Sequence, residues 1–237
     1  MILLRSLLFT VFFYVWSTVM AIVLAPVMLG PRAWIVTGLR LWCWVTTAAL
    51  ALICDLRIEV RGRHHLPAGA AFIAAKHQCM FDTMAPFGFL PDACLVLKKE
   101  LTKIPLYGWI ALKDENVVVD REGHAAALRK LVSDCRARMD EARQLMIFPE
   151  GHRMAPGAAP DYKPGVAALY RDLALPCVPM ATNSGVHWPA HGIVRRPGVI
   201  VFEFLEPIPP GLKRGAFMTE LQARIEAAST ALLESGI

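Results

Sequence analysis

The chain is 237 residues long, 55% of them hydrophobic, with a formal net charge of +5. That length allows one sizeable domain and a small appendage, and the apolar share exceeds the roughly 45–50% of an ordinary soluble domain. A basic balance suits anionic lipid or phosphorylated small molecules, but no dense Lys/Arg block interleaved with aromatics occurs, which argues against nucleic acid. The six cysteines, Cys43, Cys54, Cys79, Cys94, Cys135 and Cys177, show no C-x-x-C pair and no zinc-type spacing, so free buried thiols are expected, with neither disulfides nor a metal site.

Residues Ser6 to Pro31 carry no charge and are flanked by Arg5 and Arg32. The run is long enough for a hydrocarbon core, which needs about 20 apolar residues. It is too long for the roughly 7–15-residue core of a signal peptide. A second apolar stretch, Ala33 to Cys54, is interrupted by Arg40, with Trp34, Trp42 and Trp44 near its start. Only about fourteen apolar residues come after Arg40, which is marginal for a span. A hairpin crossing the membrane and a helix pair lying in one leaflet both fit. Arg57, Arg61 and Arg63 favour a cytoplasmic start for the globular domain. Residues 1–56 are thus expected to form a membrane-anchoring module, and 57–237 a domain held at the membrane surface on its cytoplasmic side.

Beyond Leu56 the periodicity changes. Ile58–Val60, Ala71–Ala75, Cys94–Leu97, Val117–Val119, Leu145–Phe148, Cys177–Ala181 and Val199–Phe204 read as strands. Asp82–Phe89, His124–Ala142, Gly165–Leu173 and Phe217–Leu233 read as helices. The alternation predicts an α/β fold, a mixed sheet flanked by helices and preceded by the two-helix membrane module.

The most informative stretch is Phe72-Ile-Ala-Ala-Lys-His-Gln-Cys-Met-Phe-Asp82. It places His77 at a strand-to-helix corner, with Asp82 close enough to fold back on it. Such a carboxylate fixes the imidazole tautomer and supports the imidazolium that forms when His77 takes a proton. No Ser or Cys is placed to complete a triad, so the nucleophile would be a substrate hydroxyl. Taken alone, H-x4-D is more often a surface histidine and a helix-starting Asp. Cys79 is a rival nucleophile, but two residues apart around a corner is poor geometry for a thiolate–imidazole pair.

In Leu145-Met-Ile-Phe-Pro-Glu-Gly-His-Arg153 a buried strand ends in a Glu150-Gly151 turn, with Arg153 close behind. Glycine allows close approach of a ligand to backbone, and arginine grips phosphate oxygens as a fork. Lys98, at another strand end, and Arg121, after Val117–Val119, add two cations. Ligands of open α/β sheets sit at the carboxyl ends of strands, so His77, Lys98, Arg121 and Arg153 should converge on a phosphorylated alcohol.

These motifs resemble those of the glycerolipid acyltransferase family, in particular its bacterial 1-acylglycerol-3-phosphate acyltransferases. His77 to Asp82 matches the H-x4-D motif, Lys98 to Arg121 a Lys-x-Glu-Leu…Ile-Pro…Gly-Trp run ending in Arg, Phe148 to Arg153 an F-P-E-G-x-R motif, and Val178-Pro179 an apolar-Pro motif. Lys76, Cys79 and His152 depart from the Asn, Ser and Thr or Ser frequent at those positions.

The resemblance implies that His77 deprotonates the sn-2 hydroxyl of lysophosphatidic acid, which attacks the thioester of acyl carrier protein or coenzyme A. Asp82 would support His77, while Arg121 and Arg153, with Lys98, would hold the phosphate. Glu150 and Gly151 would shape that site. It implies no cofactor and no metal. Alternatives are another lysolipid acceptor, a catalytically silent lipid-binding protein of the same fold, and a hydrolase, for which the G-x-S-x-G elbow is missing.

Overall fold

The structure, a computed structural model, describes residues 1–120 and 124–235. Arg121, placed by sequence in the phosphate site, lies outside the described residues.

Two long apolar helices open the chain, α1 (Ile2–Val27) and α2 (Arg32–Cys54). Both are long and apolar enough to cross a membrane, and only about a quarter of each candidate span is buried within the protein (22% and 28%). Leu4, Leu8, Val15 and Ile22 on α1, and Trp34, Trp44 and Leu52 on α2, face outward. Arg40 does not break α2: the helix runs through it, and its guanidinium bonds the Pro91 carbonyl.

Seven strands come next: β1 (Leu56–Arg61), β2 (Ala71–Ala75), β3 (Ala93–Lys98), β4 (Val117–Val119), β5 (Gln144–Ile147), β6 (Cys177–Thr182) and β7 (Gly198–Phe204). They form one sheet in the order β1-β7-β6-β2-β5-β3-β4. All neighbouring pairs are parallel except β6 and β7. The mixed sheet agrees with the sequence reading. Pro179 fits inside β6 because its carbonyl accepts the Leu205 N–H on the β7 side. The N–H and C=O of one strand residue share a side, so no donor towards β2 is lost.

Alternation along the strands divides the core. Ile73, Ala75, Leu95, Met146, Met180 and Phe202 face the cluster that includes Phe9, Phe13 and Leu50 of α1 and α2. Phe72, Ala74, Cys94, Leu145 and Cys177 face the cluster of α5 (His124–Asp140), α6 (Gly165–Leu173) and α8 (Arg214–Glu234). Because β2 is covered on both faces, all five of its residues are buried.

Four helical segments differ from the sequence expectation. The predicted helix Asp82–Phe89 is instead a 3₁₀ turn, Met80–Thr83, and a short α3 (Pro86–Phe89) with Pro86 at its first position. Proline suits that position because its missing N–H would be unpaired there anyway. The run expected to continue to Ala142 stops at Asp140, and Ala142 takes a positive φ of 60°. Two helices, α4 (Tyr107–Lys113) and α7 (Ser184–His187), had no predicted counterpart. A Cβ on Gly108 in α4 would lie 2.1 Å from the Thr102 carbonyl oxygen, so glycine is required for this close turn.

Candidate active site

β2 delivers His77 to the carboxyl edge of the sheet. There the chain turns, and Asp82 folds back from the 3₁₀ turn Met80–Thr83. His77 Nδ1 lies 3.1 Å from Asp82 Oδ2. The same oxygen accepts the backbone N–H groups of Gln78 (2.6 Å) and Cys79 (2.8 Å). An ionised carboxylate is an acceptor only, so Nδ1 carries the proton and Nε2 is the basic nitrogen. Asp82 is fully buried while the His77 side chain is 13% exposed, so the supporting acid is dry and the base is reachable. The spacing H-x4-D therefore closes into a dyad.

The neighbours hold His77 on three sides. Phe148 stacks on its ring with centroids 4.3 Å apart. Met154 N–H donates to the His77 carbonyl at 2.8 Å. The His77 N–H points to Glu150 Oε2 at 3.3 Å. Glu150 is itself buried. Its burial raises the carboxyl above its ordinary range, against the pull of the Lys76 ammonium 2.6 Å away. Gly151 has φ +69° in the adjoining turn, a conformation open to glycine. Sequence reasoning gave Lys76 no role, but the structure buries it between Glu150 and Glu226.

Cys79 is not the nucleophile. It is fully buried, its Sγ–H points at Asp82 Oδ1 at 3.6 Å, and burial with the adjacent carboxylate pushes the thiol well above its ordinary range. All six cysteines are free and buried, as the composition suggested.

The expected cations are less concentrated. The carboxyl ends of β2, β5, β3 and β4 do succeed one another along a single edge, so His77, the Glu150–Arg153 turn and Lys98 share it. Strands sit about 4.8 Å apart, which sets the β3 end, and with it Lys98, roughly 10 Å along from the β2 end. Lys98 is exposed and lies 3.5 Å from Glu100. Arg153 is exposed, with one guanidinium nitrogen donating to the Ala190 carbonyl at 3.1 Å. The structure thus brings His77, Asp82, Glu150 and Gly151 together, and leaves Lys98 and Arg153 on the rim. A cavity of about 660 Å³ lies between α2 and β1, bounded by Cys43, Trp44, Ile58, Phe81 and Phe89, with Arg40 and Arg63 also on its wall; Phe81 precedes Asp82 in the chain.

Comparison with known proteins bears on the family and the fold. The chain is 31% identical to a 1-acyl-sn-glycerol-3-phosphate acyltransferase of Pseudomonas aeruginosa, over 79% of its own length and 72% of the relative's. It is 28% identical to a protein of the same name from Cocos nucifera, over 82% of the chain and 62% of the relative. Its fold matches the crystal structure of a 1-acyl-sn-glycerophosphate acyltransferase from Thermotoga maritima with a TM-score of 0.79, at 22% identity and 98% coverage of both chains. The acyltransferase family model matches residues 57–183, which hold His77, Asp82 and Glu150, and the chain belongs to that family.

Proposed function

We propose that the protein transfers a fatty acyl group from an acyl thioester to the sn-2 hydroxyl of 1-acyl-sn-glycerol-3-phosphate, giving phosphatidic acid. The His77 Nδ1 to Asp82 Oδ2 contact carries the reading. Nε2 takes the hydroxyl proton as the oxygen attacks the thioester carbonyl. A C–O bond forms, the C–S bond breaks, and the imidazolium returns the proton to the departing thiolate. Asp82 stabilises the imidazolium between the two steps. Acyl carrier protein or coenzyme A supplies the thioester. Arg153 and Lys98 bind the acceptor phosphate from the rim, and Arg121 is assigned to the same phosphate from the sequence motif alone. The cavity beside Phe81 takes an acyl chain against its apolar side chains Trp44, Ile58, Val60 and Phe89.

Membrane lipids are the natural setting for such an acceptor. α1 and α2 hold the domain on the cytoplasmic face of the inner membrane. Both ends of α2 rest on the α/β domain: Arg32 pairs with Asp92, and Leu56 begins β1 two residues after Cys54. That favours helices lying along a membrane surface over a hairpin projecting through it.

The test is transfer of a labelled acyl group to lysophosphatidic acid by purified protein. His77→Ala should cost at least about 10²-fold in turnover while vesicle binding persists. Activity that survives the change overturns the dyad. Equal use of an acceptor without phosphate overturns the role of Arg153 and Lys98.

A further inference from the structure

The residue before His77 is a lysine buried to 2% exposure, and its ammonium joins two carboxylates. Lys76 Nζ lies 2.6 Å from Glu150 Oε1 and 2.8 and 3.0 Å from the two oxygens of Glu226. Tyr162 OH donates to Glu226 Oε1 at 2.9 Å. Glu226 belongs to α8, outside the residues 57–183 that the family model matches. Extended backbone explains the arrangement. Successive side chains alternate, so Lys76 turns to the α8 side while His77 turns to the side of Asp82. Glu150 bridges the two, with Oε1 on Lys76 and Oε2 on the His77 N–H.

We infer that Lys76 and Glu226 are positioning residues of the acyl transfer, holding the Glu150 carboxylate that orients the backbone of His77, so that the C-terminal helix is part of the catalytic apparatus. A buried carboxylate keeps its orientation only if its partners are fixed. Lys76 is fixed because Glu226, itself held by the Tyr162 hydroxyl, grips it from the side away from Glu150. A cavity of about 560 Å³ reaches Lys76 and Glu226 from the α8 side, and the Glu226 side chain is 25% exposed. The cluster carries two carboxylates against one ammonium, so its protonation depends on each member. The groups facing Glu150 are Lys76 from the end of β2, Glu226 from α8, Tyr162 from the segment before α6, and His77 itself; the ring of His152 bonds the Glu150 carbonyl. The Glu226 charge opposes ionisation of Glu150.

The inference rests on His77 being the base, and the experiment separates the two. Glu226→Ala, Glu226→Gln and His77→Ala are compared with the full-length protein by kcat, KM for lysophosphatidic acid, pH profile and thermal melt. Glu226→Ala should lower kcat roughly 10-fold, the scale of one lost ionic hydrogen bond, with KM changed less than about 3-fold, the pattern of an interaction made in the transition state. Glu226→Gln keeps one acceptor oxygen, at the Oε1 position that Lys76 and Tyr162 share, and should keep most of kcat. It also removes a negative charge, so the acidic limb of its profile should move to lower pH. An unmoved limb in Glu226→Gln, or unchanged kcat in Glu226→Ala, overturns the inference. Should Glu226→Ala fail to fold, the limb of Glu226→Gln decides. If His77→Ala stays active, the proposed dyad fails instead.

Discussion

Asp82→Asn isolates the charge of the supporting acid from its geometry. Asp82 Oδ2 accepts three donors, His77 Nδ1–H and the N–H groups of Gln78 and Cys79. The Asn side chain can place its carbonyl oxygen at that position and its NH₂ at the Oδ1 position, beside Cys79 Sγ. All three hydrogen bonds survive, and only the charge opposite the imidazolium is lost. At 3.1 Å and an effective dielectric of about 20, two unit charges interact by about 5 kcal/mol. The amide dipole retains part of that, leaving about 3–5 kcal/mol on the barrier. The expected loss in kcat is roughly 10²–10⁴-fold. Asp82→Ala is the poorer probe, because two buried N–H groups then lack an acceptor, at about 1–3 kcal/mol each. The assay is conversion of labelled acyl thioester to phosphatidic acid, with a thermal melt to show that the fold persists. Asp82→Asn within about 10-fold of wild type and with an unchanged melt would refute the role of Asp82.

Cys79→Ala should retain most activity, and native protein should resist thiol alkylation at this site; a dead variant with an intact melt would reinstate the thiol. Gly108→Ala forces a Cβ to within 2.1 Å of the Thr102 carbonyl and should cost about 2 kcal/mol, lowering Tm by roughly 4–8 °C; an unchanged Tm counts against the required close turn. Glu150→Gln should lower kcat about 10-fold by weakening the acceptor for the His77 N–H. It also tests linkage. Burial raises the Glu150 carboxyl above 4.5 in the folded state, so its contribution to stability is full below that value and is lost as pH rises through the raised one. The Tm of Glu150→Gln relative to wild type should therefore climb as pH rises from about 4.5. A difference that is flat with pH contradicts the raised carboxyl.

Local pattern was enough for much of the fold. Ala71–Ala75, Val117–Val119 and Gly165–Leu173 fold with the boundaries their pattern predicts, because the two strands are short unbroken apolar runs and the helix has a single apolar face. α4 was illegible because Pro105 stands just before it and Gly108 within it, and its turn depends on a contact with Thr102. Of the site, the pairing of His77 with Asp82 and the turn at Glu150 could be read from spacing at strand ends. The Lys76–Glu226 pair could not. Its partners are 150 residues apart and meet only once α8 is laid on the sheet. A lysine ending an apolar strand was a signal, but nothing in the sequence named its counter-charge.

The aromatic packing between α1 and the domain has a mechanical consequence. Phe9 and Phe13 meet the edges and faces of Trp188, whose indole stacks on Phe81, and Phe81 precedes Asp82. Ser6 accepts the Arg195 N–H at 2.8 Å in the same region. The apolar helices are therefore a keel rather than a mooring line. A flexible tether would let the base ride at any height above a bilayer. On the function proposed above, a keel fixes its draught, so the depth at which α1 and α2 would settle in a bilayer also sets the depth at which His77 would meet a hydroxyl. Trimming α1 would open the core around Trp188 before it ever set the enzyme adrift.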